Sequence, residues 1–270
     1  MPYWLKSFLE ELRGLATRRR RAKLAPMRAY VACVGLIVLA GCFALVIAPD
    51  EATMPSPFSS GPPTIVIDAG HGGNDEGAKW RGVLEKTLTL DIAFRVERVL
   101  NERGYRTVLT RTNDHYVALS ERVAVANALS GPALFISVHF NQGSSGSING
   151  IETFYADTKT PPPSNWTWVG LFSRPEQLDS GENLAADVQL AVVNKTGARN
   201  RGIRPRNLYV TRNTRVPAIL IEGGFITNRM ESQLLSGDEY ANRLAEGIAD
   251  GVETWIQSQP KHPTSILAKQ

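Results

Sequence analysis

Four titratable residues stand at the borders of apolar segments, and their types suit metal-dependent hydrolysis. His71 lies in a glycine-rich turn after an apolar run, His139 and Glu222 each close an apolar run, and Glu85 opens a helical pattern. Two imidazoles and a carboxylate form a three-ligand zinc site that leaves one coordination position open for water. We therefore predict that His71, Glu85 and His139 bind one Zn²⁺. Glu222 is the candidate proton shuttle between the attacking water and the leaving amine.

Each of these four residues also has an ordinary structural interpretation. His71 would be a turn residue, Glu85 a carboxylate favoured by a helix dipole, His139 a hydrogen-bonded core residue, and Glu222 the partner of an arginine. The turn around His71 contains neither G-K-[ST] nor G-x-G-x-x-G, so its glycines do not indicate a phosphate cradle. An unpaired carboxylate after an apolar strand is costly unless it has a role. The four residues together favour a catalytic site.

The elements that must position these residues alternate along the chain. Apolar runs predict strands at 64–68, 106–110, 133–139, 151–155, 208–210 and 218–222, and helical spacing predicts helices at 85–103, 119–129, 183–196 and 240–256. This order predicts an α/β fold, a single three-layer domain over residues 64–257 with a mainly parallel central sheet flanked by helices. Ligands of such sheets bind beyond the carboxyl ends of the strands, where the four residues would meet.

The first 63 residues are expected to lie outside this domain. Residues 1–28 carry eight basic and two acidic side chains, so the rest of this +4 chain has a net charge of −2 and no basic footprint for nucleic acid. Residues 29–48 are uncharged and long enough for a transmembrane signal anchor. The basic segment would then stay cytoplasmic and the domain would lie in the periplasm, tethered to the inner membrane. Residues 49–63, rich in Pro and Ser, predict a linker.

The two cysteines lie in the apolar run and offer an alternative anchor. Leu39-Ala40-Gly41-Cys42 resembles a lipobox, so a lipoprotein attached through Cys42 is the second interpretation. An apolar run that continues past Cys42 favours the uncut anchor. The predicted domain contains no cysteine, which excludes a cysteine nucleophile and a cysteine-rich zinc site there.

Two segments do not follow the alternation of strands and helices. Residues 157–181 contain three consecutive prolines and two tryptophans, and predict an insertion without regular structure. It would act as a lid, stack on sugar rings, or be an ordinary surface insertion. Residues 258–270 predict a disordered tail.

The motifs around the four residues resemble the zinc-dependent N-acetylmuramoyl-L-alanine amidases of type 3, which are cell-wall hydrolases. The resemblance covers roughly residues 64–256. It rests on five segments in order: IDAGHGGNDEGA from Ile67, EK from Glu85, TRT from Thr110 with LSER from Leu119 and AN from Ala126, FISVHFN from Phe135 with GIETFY from Gly150, and PAILIEGGF from Pro217 with TN from Thr227. Phe140 and Gly224 depart from the family pattern and could alter the shape of the site, but neither replaces a ligand.

The resemblance implies hydrolysis of the amide between N-acetylmuramic acid and L-alanine in peptidoglycan. It implies zinc at His71, Glu85 and His139, and a catalytic carboxylate at Glu222, in agreement with the chemistry above. It also implies a possible protein activator. In some family members the segment equivalent to 157–181 holds a helix that blocks the zinc, which the prolines here do not favour.

Two other functions remain open on the sequence. One is a zinc peptidase that cleaves within the stem peptide, and the other is a non-catalytic cell-wall-binding module. Asn141, Arg204 and Arg212 are predicted to contact substrate, with Arg201 as a further candidate for the carboxylates of the stem peptide. For the arginines, surface solubility is the alternative.

Overall fold

The computed structural model describes residues 61–157 and 175–259, with the backbone alone for 175–180. The predicted basic segment, anchor and Cys42 lie outside the described residues, as do most of the linker, residues 158–174 of the insertion and nearly all of the tail. Within the described ranges, no helix combines the length and hydrophobicity that crossing a bilayer requires.

A six-stranded sheet forms the centre of the domain. The strands are β1 (Thr64–Ala69), β4 (Thr107–Leu109), β5 (Ala133–Asn141), β6 (Ile151–Tyr155), β7 (Asn200–Pro205) and β8 (Ala218–Phe225), in the order β4-β1-β5-β8-β6-β7. β4, β1, β5 and β8 are parallel, β6 is antiparallel to β8, and β7 is parallel to β6. The predicted mixed α/β class with a mostly parallel sheet is confirmed. A two-stranded hairpin of β2 (Lys79–Trp80) and β3 (Val83–Leu84) stands apart.

Two apolar layers of unequal size cover the sheet. The larger layer packs α1 (Glu85–Glu102), α3 (Pro175–Thr196) and α6 (Asp238–Ser258) on side chains such as Ile67, Ile136 and Ile221. The smaller layer packs α2 (Leu119–Asn127) and α4 (Tyr209–Asn213) on alternate residues such as Phe135 and Leu220. Period-two alternation of β-strand side chains produces these two faces. The thinner layer leaves space beside the carboxyl end of the sheet.

Most predicted elements are present, and two predictions are wrong. Residues 208–210, predicted as a strand, lead into and begin α4, which fills the smaller apolar layer with Val210. The insertion was predicted to lack regular structure to residue 181, but α3 already begins at Pro175. Three elements were not predicted: the β2–β3 hairpin, strand β7 and helix α5 (Arg229–Leu235).

Candidate metal centre and its flanks

The loop after β1 presents His71 through an unusual backbone. His71 has a φ of 61°, in the left-handed region, and the following Gly72 forms a short bridge with Asp75. Asp75 also holds the imidazole, because its Oδ2 lies 2.8 Å from His71 Nδ1. The other ring nitrogen, Nε2, is thereby turned toward Glu85, whose Oε1 lies 3.0 Å away. The loop fixes both the position and the orientation of the ring.

Glu85 is the buried centre of the cluster. It opens α1, and its Oε1 lies 3.0 Å from both His71 Nε2 and His139 Nδ1. Backbone N–H groups also donate to this carboxylate, from Ala78 to Oε2 at 2.7 Å and from Phe140 to Oε1 at 3.0 Å. Burial alone raises the pKa of Glu85, but the hydrogen bonds and positive charges of the two histidines hold that pKa well below its usual range. Glu85 is therefore ionised at neutral pH.

His139 completes the cluster from β5, and glycine makes room for it. Its ring centroid lies 4.8 Å from that of His71, with the ring planes at 75°. A Cβ on Gly70 would fall 2.4 Å from the His139 ring, so any larger residue there would displace the imidazole. At least one of the glycines in this loop is thus required by close packing against a site residue.

The donor set fits a zinc ion. One ligand atom each from His71, Glu85 and His139 lie within 4.8 Å of one another. Ligands about 2.0–2.2 Å from a tetrahedral zinc ion are about 3.3 Å apart, close to the 3.0 Å that separates Glu85 Oε1 from each histidine nitrogen. Two imidazoles around a buried anion are also the nitrogen and oxygen ligands that zinc accepts. Burial lowers the pKa of His71, but Glu85 and Asp75 outweigh burial and raise it overall.

Glu222 lies beside the cluster on the neighbouring strand. It is the register partner of His139 across β5–β8 and of Glu152 across β8–β6. Its Oε2 is buried without a hydrogen-bond partner among the described residues, so the predicted alternative of an arginine pair does not hold for this oxygen. Burial, with the negative charges of Glu85 and Glu152, raises the pKa of Glu222 to about 7. The two glutamates of the site therefore have pKa values displaced in opposite directions.

A buried ionic network supports the His71 loop from below. Arg122 of α2 pairs with Asp68 at 2.7 Å, and both side chains are at most 3% exposed. Arg122 also donates to the His71 carbonyl at 2.7 Å, while Arg111 donates to the carbonyls of Ala69 and Gly70 at 2.9 Å. No role was predicted for Asp68, Arg111 or Arg122. A signal was available, because Arg111 and Arg122 lie in the TRT and LSER segments that carry the family resemblance.

The predicted substrate contacts fall into two groups. Asn141 donates to Glu152 at 2.8 Å, and Arg201 and Arg204 approach the same carboxylate at 3.2 and 3.7 Å, so these residues form one polar wall beside Glu222. Arg212 is elsewhere. It is 6% exposed and donates to the Asp157 carbonyl and to Asn207, so its guanidinium is held within the domain, and a contact with substrate there stays a prediction.

The two departures from the family pattern do not enter the cluster. The Phe140 side chain is buried in the larger apolar layer. Gly224 has a φ of 147°, in the region that favours glycine. Neither position alters the donor set.

Comparison with solved structures places this fold among known enzymes. An N-acetylmuramoyl-L-alanine amidase from Clostridium difficile 630 matches with a TM-score of 0.64 and 34% identity, over 74% of this chain and 99% of that one. The amidase AmiC2 of Nostoc punctiforme matches with a TM-score of 0.62 and 35% identity, over 73% and 99%. The fold and the His–Glu–His cluster thus place the chain in the class of mixed α/β amidase domains.

Comparison of sequences identifies the family. The family model Amidase_3, N-acetylmuramoyl-L-alanine amidase, matches residues 65–254. LytC of Bacillus subtilis (strain 168), an N-acetylmuramoyl-L-alanine amidase, is 36% identical over 194 residues, which cover 72% of this chain and 36% of LytC. The uncharacterised YqiI of the same organism is 34% identical over 71% of this chain and 84% of its own length. The chain belongs to the Amidase_3 family of N-acetylmuramoyl-L-alanine amidases.

Proposed function

We propose that this protein hydrolyses the amide bond between N-acetylmuramic acid and L-alanine in peptidoglycan, using one zinc ion held by His71, Glu85 and His139. One observation carries the proposal: a buried, ionised carboxylate oxygen lies 3.0 Å from a nitrogen of each of two imidazoles. The relatives that share the family are amidases by name, and the resemblance noted in the sequence supplies the bond that is cut.

The chain's own groups divide the work of hydrolysis. A zinc ion bound at this cluster would supply Lewis acidity to the scissile carbonyl and to the attacking water. His71 and His139 would serve as neutral ligands, and Asp75 would keep Nε2 of His71 directed inward. Glu85 would contribute the anionic ligand. These residues are fixed before substrate arrives, because backbone donors and the Arg122 network hold them.

Glu222 would move the proton. Its unpaired Oε2 would accept a proton from the attacking water and deliver it to the nitrogen of the departing L-alanine. In the metal-free protein burial raises the pKa of Glu222 to about 7, so its surroundings allow this carboxyl both to hold and to release a proton near neutral pH. A module that only bound the cell wall would have no need of this buried carboxylate, which argues against the binding-module alternative.

Product analysis tests the proposal. The full-length protein, purified with zinc, is incubated with disaccharide muropeptides, and the products are identified by mass. We expect intact stem peptides and free lactyl carboxyl groups, whereas shortened peptides would show a peptidase instead. Removal of zinc by a chelator should abolish release, and added zinc should restore it.

A matched pair of variants tests the role of Glu222. Glu222→Gln should lower kcat by about 10²–10⁴-fold, the range for loss of a general acid–base group. Glu239→Gln makes the same chemical change on a side chain that is 87% exposed on α6, and should leave kcat unchanged. Full activity in Glu222→Gln would refute the assigned role.

The location of the enzyme remains a proposal that rests on sequence. We propose that residues 29–48 anchor the protein to the inner membrane and place the catalytic domain in the periplasm, with lipidation at Cys42 as the alternative. The mass of the protein extracted from membranes would separate them, because a lipoprotein would lack residues 1–41 and carry lipid on Cys42, whereas an uncut anchor would keep the N-terminal segment. A protein activator likewise stays a prediction.

A further inference from the structure

The two flanks of the metal cluster differ in chemistry. Along the carboxyl edge of the sheet, His139, Glu222 and Glu152 occupy register positions on β5, β8 and β6. β1 lies on one side of this row, and β7 with its arginines lies on the other. A substrate whose scissile bond sits at the row must extend toward both sides. The chemistry of each flank can therefore be matched to one half of the substrate.

The flank on the β1 side is a cavity of about 330 Å³, in which apolar and aromatic side chains line the wall together with the charged Asp68, Asp75 and Arg122. His71 and His139 line it together with residues from β1, β8, α2, α4 and the loop before α2, and none of its lining residues belongs to β6 or β7. Two large apolar side chains in this lining stay exposed, Tyr116 at 58% and Leu119 at 52%. The volume lies near the lower end of small-molecule sites, which suits one sugar-sized group rather than an extended chain.

The flank on the β6–β7 side presents exposed guanidinium groups. Arg201 and Arg204 share the single carboxylate of Glu152, and the Arg204 side chain is 54% exposed. The exposed Arg206 lies over the Phe154 ring at 5.2 Å and has no ion pair within the described residues. Glu152 and Glu231 both act on Arg201, so the exposed guanidinium groups of Arg204 and Arg206 are the ones available to bind an anionic ligand.

We propose that the substrate binds in one orientation. The N-acetylmuramoyl and lactyl part lies in the cavity that Tyr116 lines, and the stem peptide lies along the polar wall that contains Arg201 and Arg204. This inference rests on the proposed function and adds the direction of binding. A sugar ring presents C–H faces and an acetyl methyl group that pack against an aromatic side chain. The stem peptide beyond L-alanine carries free carboxylates, which arginine pairs with.

Two pairs of substrates test the two flanks independently. The first pair compares a disaccharide tripeptide with the lactyl tripeptide that lacks both sugars. The second pair compares the same disaccharide tripeptide with its carboxylates free or amidated. The quantity measured is kcat/KM of the full-length zinc enzyme on each substrate. The sugar ratio is kcat/KM on the disaccharide tripeptide divided by that on the lactyl tripeptide. The carboxylate ratio is kcat/KM on the substrate with free carboxylates divided by that on the amidated substrate.

Tyr116→Ala should reduce kcat/KM on the sugar-bearing substrate by about three- to tenfold, the size of one ring contact, and leave the lactyl peptide within twofold. Tyr116→Phe keeps the ring and should keep the sugar ratio. Phe94→Ala removes a 39% exposed aromatic of α1 as a control, and should change neither ratio.

Arg204→Ala should reduce kcat/KM on the free-carboxylate substrate by about two- to fivefold, as expected for an exposed ion pair, and leave the amidated substrate unchanged. Arg98→Ala, which removes a guanidinium that pairs with Glu102 on α1, is the control.

Exchanged effects, in which Tyr116→Ala alters the carboxylate ratio and Arg204→Ala the sugar ratio, would overturn the orientation. Equal losses on every substrate would overturn it too. If the wild type releases no stem peptide from any substrate, the proposed function itself fails, which is a distinct result.

Discussion

Replacing Glu222 by Gln should alter the stability of the metal-free protein in a way that depends on pH. Burial raises the pKa of this carboxyl from 4.5 to about 7 in the folded protein. Each pKa unit corresponds to about 1.4 kcal/mol, so the rise implies at most roughly 3 kcal/mol of unfavourable free energy when Glu222 is ionised. Gln has nearly the same shape and cannot ionise, so the variant removes the pH-dependent part of this cost.

The sign follows from the two pKa values. The folded state binds the proton of Glu222 more tightly than the unfolded state does. The wild type therefore has its greatest stability relative to Glu222→Gln below about pH 4.5. This relative stability falls as the pH rises toward 7, and it stays constant above that pH. The wild type should therefore fall behind Glu222→Gln as the pH rises, and the change in relative free energy between pH 4.5 and 8 should approach 3 kcal/mol.

Thermal unfolding in the presence of a chelator measures this effect. For a domain of this size about 1 kcal/mol shifts Tm by roughly 2–4 °C, so the Tm difference between variant and wild type should grow by up to about 6–12 °C from pH 4.5 to 8. Comparing the pH trends cancels any constant cost of burying the amide. A Tm difference that does not change with pH would refute the argument.

Glu85→Gln provides a control of opposite sign. The pKa of Glu85 lies well below its usual range, so its stabilising effect is present at neutral pH and is lost as the pH falls through that value. The variant should be less stable than the wild type at pH 8, and the gap should narrow in acid. The same response from both glutamate variants would show that a general change of the site, and not the individual pKa, sets stability.

Three further predictions concern the support of the cluster. Asp75→Asn should weaken zinc affinity about 10–100-fold in a chelator competition, because the imidazole loses the carboxylate that orients it, whereas Glu76→Gln should not; equal affinities would contradict the role of Asp75. Gly70→Ala should prevent stoichiometric zinc binding, since the new methyl group would occupy the space of a ligand ring, and one zinc per chain in this variant would disprove that requirement. Arg122→Met should destabilise the protein by about 3–5 kcal/mol in denaturant unfolding by leaving Asp68 as a buried unpaired charge, and a loss below about 1 kcal/mol would show that the charge is compensated elsewhere.

The sequence predicts the fold where apolar periodicity is strong. The helix Glu85–Glu102 and the strand Ile151–Tyr155 have nearly the predicted ends. A long apolar stripe at helical spacing fits only a helix, and a short bounded apolar run fits a strand. Three apolar residues at 208–210 fit a strand or a helix equally well, and packing decides for α4. β7 was missed because an edge strand tolerates Arg, Gly and Pro, which break the usual pattern.

The sequence predicts the part of the site that lies at the carboxyl ends of the parallel strands. His71, Glu85 and His139 meet at the carboxyl edge because the elements that carry them end or begin there. Asp75 was not predicted, because its contact with His71 depends on the φ values of a loop that spacing alone does not define. The distinction between Arg204 and the buried Arg212 likewise requires tertiary packing, since the two arginines flank the same short apolar run at 208–210.

β8 is the last strand to be synthesised, yet it lies between β5 and β6 in the interior of the sheet. A nascent chain that has emerged only as far as β7 would have an open gap in its centre, and β6 would have no partner to hold it against β5. The ribosome must therefore release nearly the whole domain before the backbone ladder can close. Before that point only the β4-β1-β5 and β6-β7 ladders can form, so the edge that carries both His139 and Glu222 is assembled only when β8 pairs with β5.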